Sequence, residues 1–151
     1  VATSLALRAG LAMLEAQETS KKVSHKGQHD LVTETDRSNE ELIRKGLSAA
    51  FPGDGFIGEE DSEVNGGVLV LDEKVPSWIV DPIDGTTNFV HGFPVTCVSI
   101  GMACGRKAQA GVVFNPCTGE LYQAVRGKGA FLNGKPIGVS GVKRLSHAIV
   151  V

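Results

Sequence analysis

The chain has 151 residues, 42% apolar and 21% charged, enough apolar material to close one domain's core and too much for a disordered segment. Fifteen basic against seventeen acidic residues leave a net charge of −2, so no electrostatic excess draws the protein to nucleic acid or to an anionic membrane surface. Aromatic residues are 5%, too few for single-strand stacking, and Cys97, Cys104 and Cys117 form an odd set without a C-x-x-C pair, which argues against a disulfide framework.

In chain order, Leu7, Leu11 and Leu14 recur at helical spacing and predict an amphipathic helix over residues 2–18. The polar stretch from Glu18 to His29 reads as a loop or an edge strand. Thr35-Asp36 offers N-cap chemistry for a second helix, with Glu40 and Glu41 in its early turns, where the helix dipole favours acids. Leu42, Ile43, Leu47 and Phe51 form its apolar face, and Pro52 and Gly53 stop it. Phe56-Ile57 and Trp78-Ile79-Val80 are short strands, and the polar, glycine-containing run Asp61 to Pro76 between them is expected to be a mobile loop. Further strands are predicted at 96–104, 110–115 and 119–125, followed by a hairpin turning at Asn133-Gly134. Two helices ahead of a series of antiparallel strands imply α+β layering.

The chain ends suggest a fragment. Val1 opens straight into the helical pattern, and Ala148-Ile149-Val150-Val151 reads as a buried strand with no turn after it. The expected organisation is a metal-binding domain over residues 1–146, with 147–151 the first strand of a missing C-terminal domain.

Several alternatives fail on spacing. His25, His29, His91 and His147 show no paired-ligand spacing, and no N-x-[ST] sequon occurs. The apolar stretch Val95 to Cys104 is far shorter than the roughly 20 residues of a membrane span. Gly53-Asp54-Gly55-Phe56-Ile57-Gly58 satisfies G-x-G-x-x-G, but it follows a helix and enters a strand, the reverse of a dinucleotide site, and Glu59 and Glu60 would repel phosphate. Gly129 to Lys135 resembles a P-loop only until Pro136, which has neither the hydroxyl for magnesium nor the N–H for phosphate.

The chemistry concentrates in Trp78-Ile79-Val80-Asp81-Pro82-Ile83-Asp84-Gly85-Thr86-Thr87-Asn88-Phe89. An apolar strand should deliver Asp81 to its end, Pro82 should turn the chain, and Asp84 should fall in the same turn with an exposed carbonyl at Ile83 between the acids. These are hard oxygen ligands of the kind Mg²⁺ prefers. Gly85 permits an unusual torsion, and Thr86 starts a short helix whose first N–H groups would seat a phosphate. Gly58-Glu59-Glu60-Asp61 places more acids after a second strand, as a shared cation site requires. The competing reading is a capped Asp-Gly turn beside a solvated acidic loop. An EF-hand is excluded because the glycine falls at loop position five and position twelve is Gly92.

The run from Trp78 to Pro94 closely resembles the first signature of the inositol monophosphatase family. Asp30-Leu31-Val32-Thr33-Glu34-Thr35-Asp36, Phe56-Ile57-Gly58-Glu59-Glu60 and Gly127-Lys128-Gly129-Ala130-Phe131-Leu132-Asn133-Gly134 resemble further segments of it, in the family's order. The resemblance implies two N-terminal helices packed on a largely antiparallel sheet, the N-terminal half of an αβαβα sandwich. It implies a Mg²⁺-dependent, lithium-sensitive phosphomonoesterase, a homodimer, acting on a small phosphorylated polyol or sugar, in the cytoplasm, without nucleic acid or membrane as partner. Of two or three Mg²⁺ ions, the first would be held by Glu59, Asp81 and the Ile83 carbonyl, and the second by Asp81 and Asp84, with Glu59 also facing a third. Glu59 and Thr86 would orient the attacking water, Asp84 would contact substrate, and the amides of Gly85 and Thr86 would bind phosphate oxygens. Asp36, with Lys26 ahead of it, would support the outer metal.

The family's second signature, of the W-D-x-A-A-G type, is absent, and with it the last aspartate ligand of the second metal. The substrate expected from the Val90-His91-Gly92-Phe93-Pro94 continuation is inositol 1-phosphate, with L-galactose 1-phosphate or histidinol phosphate as alternatives. The competing function is a truncated, catalytically incomplete form that binds Mg²⁺ or only dimerises.

Overall fold

The structure, a computed structural model, describes residues 1–18, 23–25, 31–60 and 74–149. Helix α1 (Ala2–Gln17) is rich in alanine and leucine, the strongest helix formers, and its bounds match the predicted ones to within a residue. Its buried face is not the predicted one. Leu5, Ala6, Ala9, Gly10 and Met13 turn inward, whereas Leu7 and Leu11 are 37% and 58% exposed. The reason is close approach. A Cβ on Gly10 would stand 2.5 Å from the Phe114 ring, and one on Gly46 would stand 2.5 Å from Leu5 Cδ2, so small side chains rather than leucines set the contact.

Helix α2 (Glu34–Ala50) begins two residues earlier than predicted, with Thr33 rather than Thr35 as its N-cap. The Thr33 hydroxyl accepts from the Asp36 N–H, and Asp36 Oδ2 accepts from the Thr33 N–H at 2.8 Å, a reciprocal capping box. Ile43 and Leu47 are buried as expected. Phe51 lies just past the helix, and its ring meets Trp78 with centroids 5.2 Å apart.

Strands β1 (Val23–His25) and β2 (Leu31–Thr33) pair antiparallel in a small separate sheet. The main sheet, among the described residues, has seven strands in chain order: β3 (Gly55–Gly58), β4 (Ser77–Asp84), β5 (Cys97–Cys104), β6 (Lys107–Asn115), β7 (Glu120–Val125), β8 (Gly129–Leu132) and β9 (Lys135–Ile137). Only β3 and β4 are parallel; every other neighbouring pair in this sheet is antiparallel. A short helix α3 (Thr86–His91) stands between β4 and β5. The predicted hairpin turns at Asn133 and Gly134, both with positive φ, which explains the Asn-Gly pair there.

Helices α1 and α2 pack on one face of this sheet, and the core lies between the layers, from Ala9, Met13 and Ile43 to Val80, Val98 and Ile100. The α+β layering is as the sequence implied. At the other end of the chain the expected buried strand is not formed by Ala148 and Ile149. A single 3₁₀ turn at Leu145–His147 precedes them and Ile149 is 93% exposed, while Val150 and Val151 lie outside the described residues. Residues 61–73 of the expected mobile loop also lie outside the described residues. Among the described residues no helix is long and apolar enough to cross a membrane.

Candidate metal and phosphate site

The parallel pair β3–β4 sets the site. Gly58 is opposite Val80 in the last pair of the parallel ladder, so Glu59, just past β3, and Asp81, further along β4, come side by side. Their side chains hydrogen bond to each other, with Asp84 close enough to add its charge. Burial first, and then the Glu59 and Asp84 carboxylates, push the Asp81 carboxyl up to about 8, with the Ile83 N–H opposing the shift from 3.2 Å.

Pro82 does not end β4. The strand runs on to Asp84, with Asp81 opposite Ser99 and Asp84 opposite Cys97, so three steps on β4 match two on β5. This is a bulge, and a bulge tolerates a proline that has no N–H to give the ladder. The expected turn is therefore an irregular strand that carries both aspartates, Asp81 half-buried and Asp84 exposed. Nor is the Ile83 carbonyl free at the surface: Ile83 is buried, and its carbonyl accepts from the Thr86 hydroxyl at 3.0 Å.

Gly85 caps α3 in the left-handed conformation, φ +83°, as its place in the motif predicted. Thr86 Oγ1 lies 3.2 Å from Asp36 Oδ1, which brings the buried Asp36 of α2 to this turn. Three contacts tie the turn to the start of β5. Asn88 Nδ2 donates to the Val95 carbonyl at 2.7 Å, Thr96 Oγ1 to the Asp84 carbonyl at 2.9 Å, and the Cys97 thiol lies 3.8 Å from Asp84 Oδ2. Burial, with Asp84 and Asp81 nearby, pushes that thiol up to about 11.

The structure thus brings Glu59, Asp81, Asp84, Thr86 and Asp36 to one region, while Lys26 lies outside the described residues. Among the described residues no group of three or more His, Cys, Asp or Glu side chains is arranged to hold a metal ion. The donors at hand are the Glu59–Asp81 pair, with Asp84 beside it. A carboxyl pushed up to about 8 by burial, beside a second carboxylate, offers donor chemistry from which a hard divalent cation displaces the proton.

An open groove of about 300 Å³ runs from Asp84 and Gly85 past Thr96 and Cys97 to Asn115 and Tyr122. A larger one, about 600 Å³, lies along β6, β7 and β8 and has no carboxylate in its lining, so it is the smaller groove that adjoins the acids. Sequence reasoning missed Thr33, Thr96 and Glu40. Thr33 was findable, since Thr33-Glu34-Thr35-Asp36 fits the capping-box pattern. Nothing local to the other two marks them, because their partners are distant in sequence.

The profile of the inositol monophosphatase family matches residues 1–151. The chain is 51% identical over 150 residues to inositol monophosphatase 1 of Solanum lycopersicum, covering 99% of this chain and 54% of that protein. It is 45% identical over 152 residues to a histidinol-phosphatase of Chlorobaculum parvum, covering 100% of this chain and 56% of that protein. In structure it resembles the extragenic suppressor protein suhB of Bartonella henselae with a TM-score of 0.81 and 39% identity, over 94% of this chain and 54% of that one. The chain spans about half the length of the curated relatives it matches.

Proposed function

The chain belongs to the inositol monophosphatase family, and from that premise we propose that the protein hydrolyses the phosphomonoester of a small polyol or sugar, foremost inositol 1-phosphate, with Mg²⁺ as cofactor. The observation that carries the proposal is the hydrogen-bonded Glu59–Asp81 pair where the parallel pairing of β3 and β4 ends, with Asp84 three residues on.

Glu59, Asp81, Asp84 and the Ile83 carbonyl are the residues that would hold two or three Mg²⁺ ions. When bound, Mg²⁺ neutralises phosphoryl oxygens and acidifies the attacking water. Thr86 has one hydroxyl proton and two acceptors in reach, Asp36 Oδ1 and the Ile83 carbonyl. With that proton held inward, the oxygen's lone pairs are left to accept from a water, which Glu59 orients from the other side. The N–H groups of Gly85 and Thr86 receive phosphate oxygens, and Asp84 faces the polyol along the adjoining groove. Lys26 and Asp36 support the outer metal. The same reading carries lithium sensitivity, a homodimer and a cytoplasmic location.

A second substrate reading, histidinol phosphate, is favoured by the histidinol-phosphatase relative, and L-galactose 1-phosphate is the third to compare. The test is phosphate release from all three compounds, with Mg²⁺ and with a chelator. Mg²⁺-dependent release that is fastest from inositol 1-phosphate supports the proposal, faster release from another ester reassigns the substrate, and no release from any, together with no Mg²⁺ binding, overturns it. If these 151 residues alone bind Mg²⁺ yet release no phosphate, they are a catalytically incomplete form.

A further inference from the structure

Glu40 is a buried carboxylate on α2 that the chemistry above does not use. A buried charge is costly unless its partners repay the lost hydration, so its partners say what it is for. One oxygen, Oε1, accepts from Arg44 Nη2 at 2.9 Å. The other, Oε2, accepts from the backbone N–H of Glu60 at 2.8 Å, twenty residues along the chain. That N–H belongs to the residue directly after Glu59, where the backbone turns helical on leaving β3.

Gly58 completes the arrangement. A Cβ on it would stand 2.3 Å from the Glu40 carboxyl carbon, so the missing side chain is the space the carboxylate fills. Arg44, the counter-charge, lies over the Phe56 ring at 4.4 Å, which docks the same ion pair onto β3. The carboxylate therefore touches the chain on both sides of Glu59, at Gly58 and at Glu60.

We infer that Glu40 is a positioning residue for Glu59: its carboxylate, seated against Gly58 and bonded to the Glu60 N–H, fixes the backbone from which Glu59 reaches Asp81. The inference rests on the proposed metal role of Glu59 and Asp81 and extends it to a residue that meets neither metal nor substrate. Outer partners of this kind typically alter metal affinity by about 10- to 100-fold when removed.

The test is calorimetric titration of the metal-free protein with Mg²⁺, with folding monitored by circular dichroism. Glu40→Gln keeps an oxygen for the Glu60 N–H while Arg44 turns to Glu41, whose Oε2 is already 3.6 Å from its Nε. Glu40→Met keeps the volume and removes the acceptor. The expected result is near-normal Mg²⁺ affinity for Glu40→Gln and about a tenfold or greater loss for Glu40→Met. Unchanged affinity in Glu40→Met, or equal losses in both variants, overturns the inference. Asp81→Asn is the control: if it too binds Mg²⁺ normally, the metal reading fails and not the positioning role alone. Should both Glu40 variants fail to fold, amide exchange at Glu60 in the unsubstituted protein decides, slow exchange supporting the bond and exchange at the unprotected rate overturning it.

Discussion

Asp36 and Thr86 are fifty residues apart in sequence, and Asp36 Oδ1 lies 3.2 Å from Thr86 Oγ1. The same aspartate uses Oδ2 to accept from both the backbone N–H and the hydroxyl of Thr33, so one buried side chain closes the cap of α2 and reaches the turn after Asp84. The capping box is therefore part of the site's framework as well as a helix terminus.

The two duties of Asp36 separate in Asp36→Asn. The amide oxygen still serves the Thr33 N–H, but the amide nitrogen now faces Thr86 and donates to it. Thr86 keeps only the Ile83 carbonyl as acceptor for its proton, and one of the lone pairs meant for the water is occupied by the amide. With the proposed role of Thr86, phosphate release at saturating Mg²⁺ should fall about 100-fold. Urea unfolding should show a loss of only ~1 kcal/mol, the usual cost of a damaged cap. Wild-type turnover in Asp36→Asn would remove Thr86 from the water-orienting role.

The Asp81 carboxyl sets a pH dependence whose sign is opposite to the common one for acids. Its value rises from 3.8 to about 8 on folding, so between these limits the folded chain keeps a proton that the unfolded chain releases. Stability of the metal-free protein should therefore fall as pH rises across that window and level off above it. Mg²⁺ binds the deprotonated acids, so its stabilising effect should be larger at pH 8 than at pH 6, and binding at pH 6 should release protons. Thermal melts with and without Mg²⁺ at the two pH values, and titrations in buffers of different ionisation heat, measure both. Equal Mg²⁺ effects at the two pH values would show that the displaced proton does not come from Asp81.

What the sequence revealed of this protein was what lies close along the chain. Asp81, Asp84, Gly85 and Thr86 fall within six residues, and strand alternation, the Asn133-Gly134 turn and the short helix after Gly85 are all local patterns. The errors share one physical origin. Thr33 outcompetes Thr35 as a cap because Asp36 reaches back to its N–H, and β4 survives Pro82 because β5 accommodates a bulge opposite Ser99 and Cys97. Leucine spacing does not mark the buried face of α1, because it is a one-helix signal and the face follows from how near Phe114 comes. Glu40 depends on Glu60, twenty residues on, and no local pattern could have shown it.

The two faces of α1 differ in what substitution should cost. If Leu7 and Leu11 formed the core face, Leu11→Ala would open a cavity and cost about 2–5 kcal/mol. With Leu11 58% exposed, the change should instead stay within about 0.5 kcal/mol of wild type. Gly10→Ala should do the reverse. Alanine gains about 1 kcal/mol of helix propensity, but overpacking costs about 1–3 kcal/mol, and here the new methyl would stand 2.5 Å from the Phe114 ring and 3.2 Å from Pro116 Cβ. A net loss near 1 kcal/mol in urea is expected for Gly10→Ala, and stabilisation would mean that Phe114 moves freely.

Gly85→Ala tests whether the turn between Asp84 and Thr86 can be re-formed around a side chain. Alanine at φ +83° costs about 1–2 kcal/mol for the left-handed backbone alone. The new Cβ would also stand 3.0 Å from the Val95 carbonyl oxygen and 3.6 Å from Thr96 Cα, which are backbone atoms. Neither can swing aside as a side-chain tip would, because Asn88 holds the Val95 carbonyl at 2.7 Å and Thr96 bonds the Asp84 carbonyl at 2.9 Å. The strain has to be relieved at the turn itself, moving the N–H groups of residues 85 and 86. Gly85→Ala should therefore lower stability by more than the roughly 1–2 kcal/mol of the backbone alone. It should also weaken inhibition by inorganic phosphate more than it weakens Mg²⁺ binding, since Glu59 and Asp81 hang from other backbone. Equal losses of both would mean that the turn and the carboxylate pair move as one body, and unchanged phosphate inhibition would remove these amides from the phosphate seat.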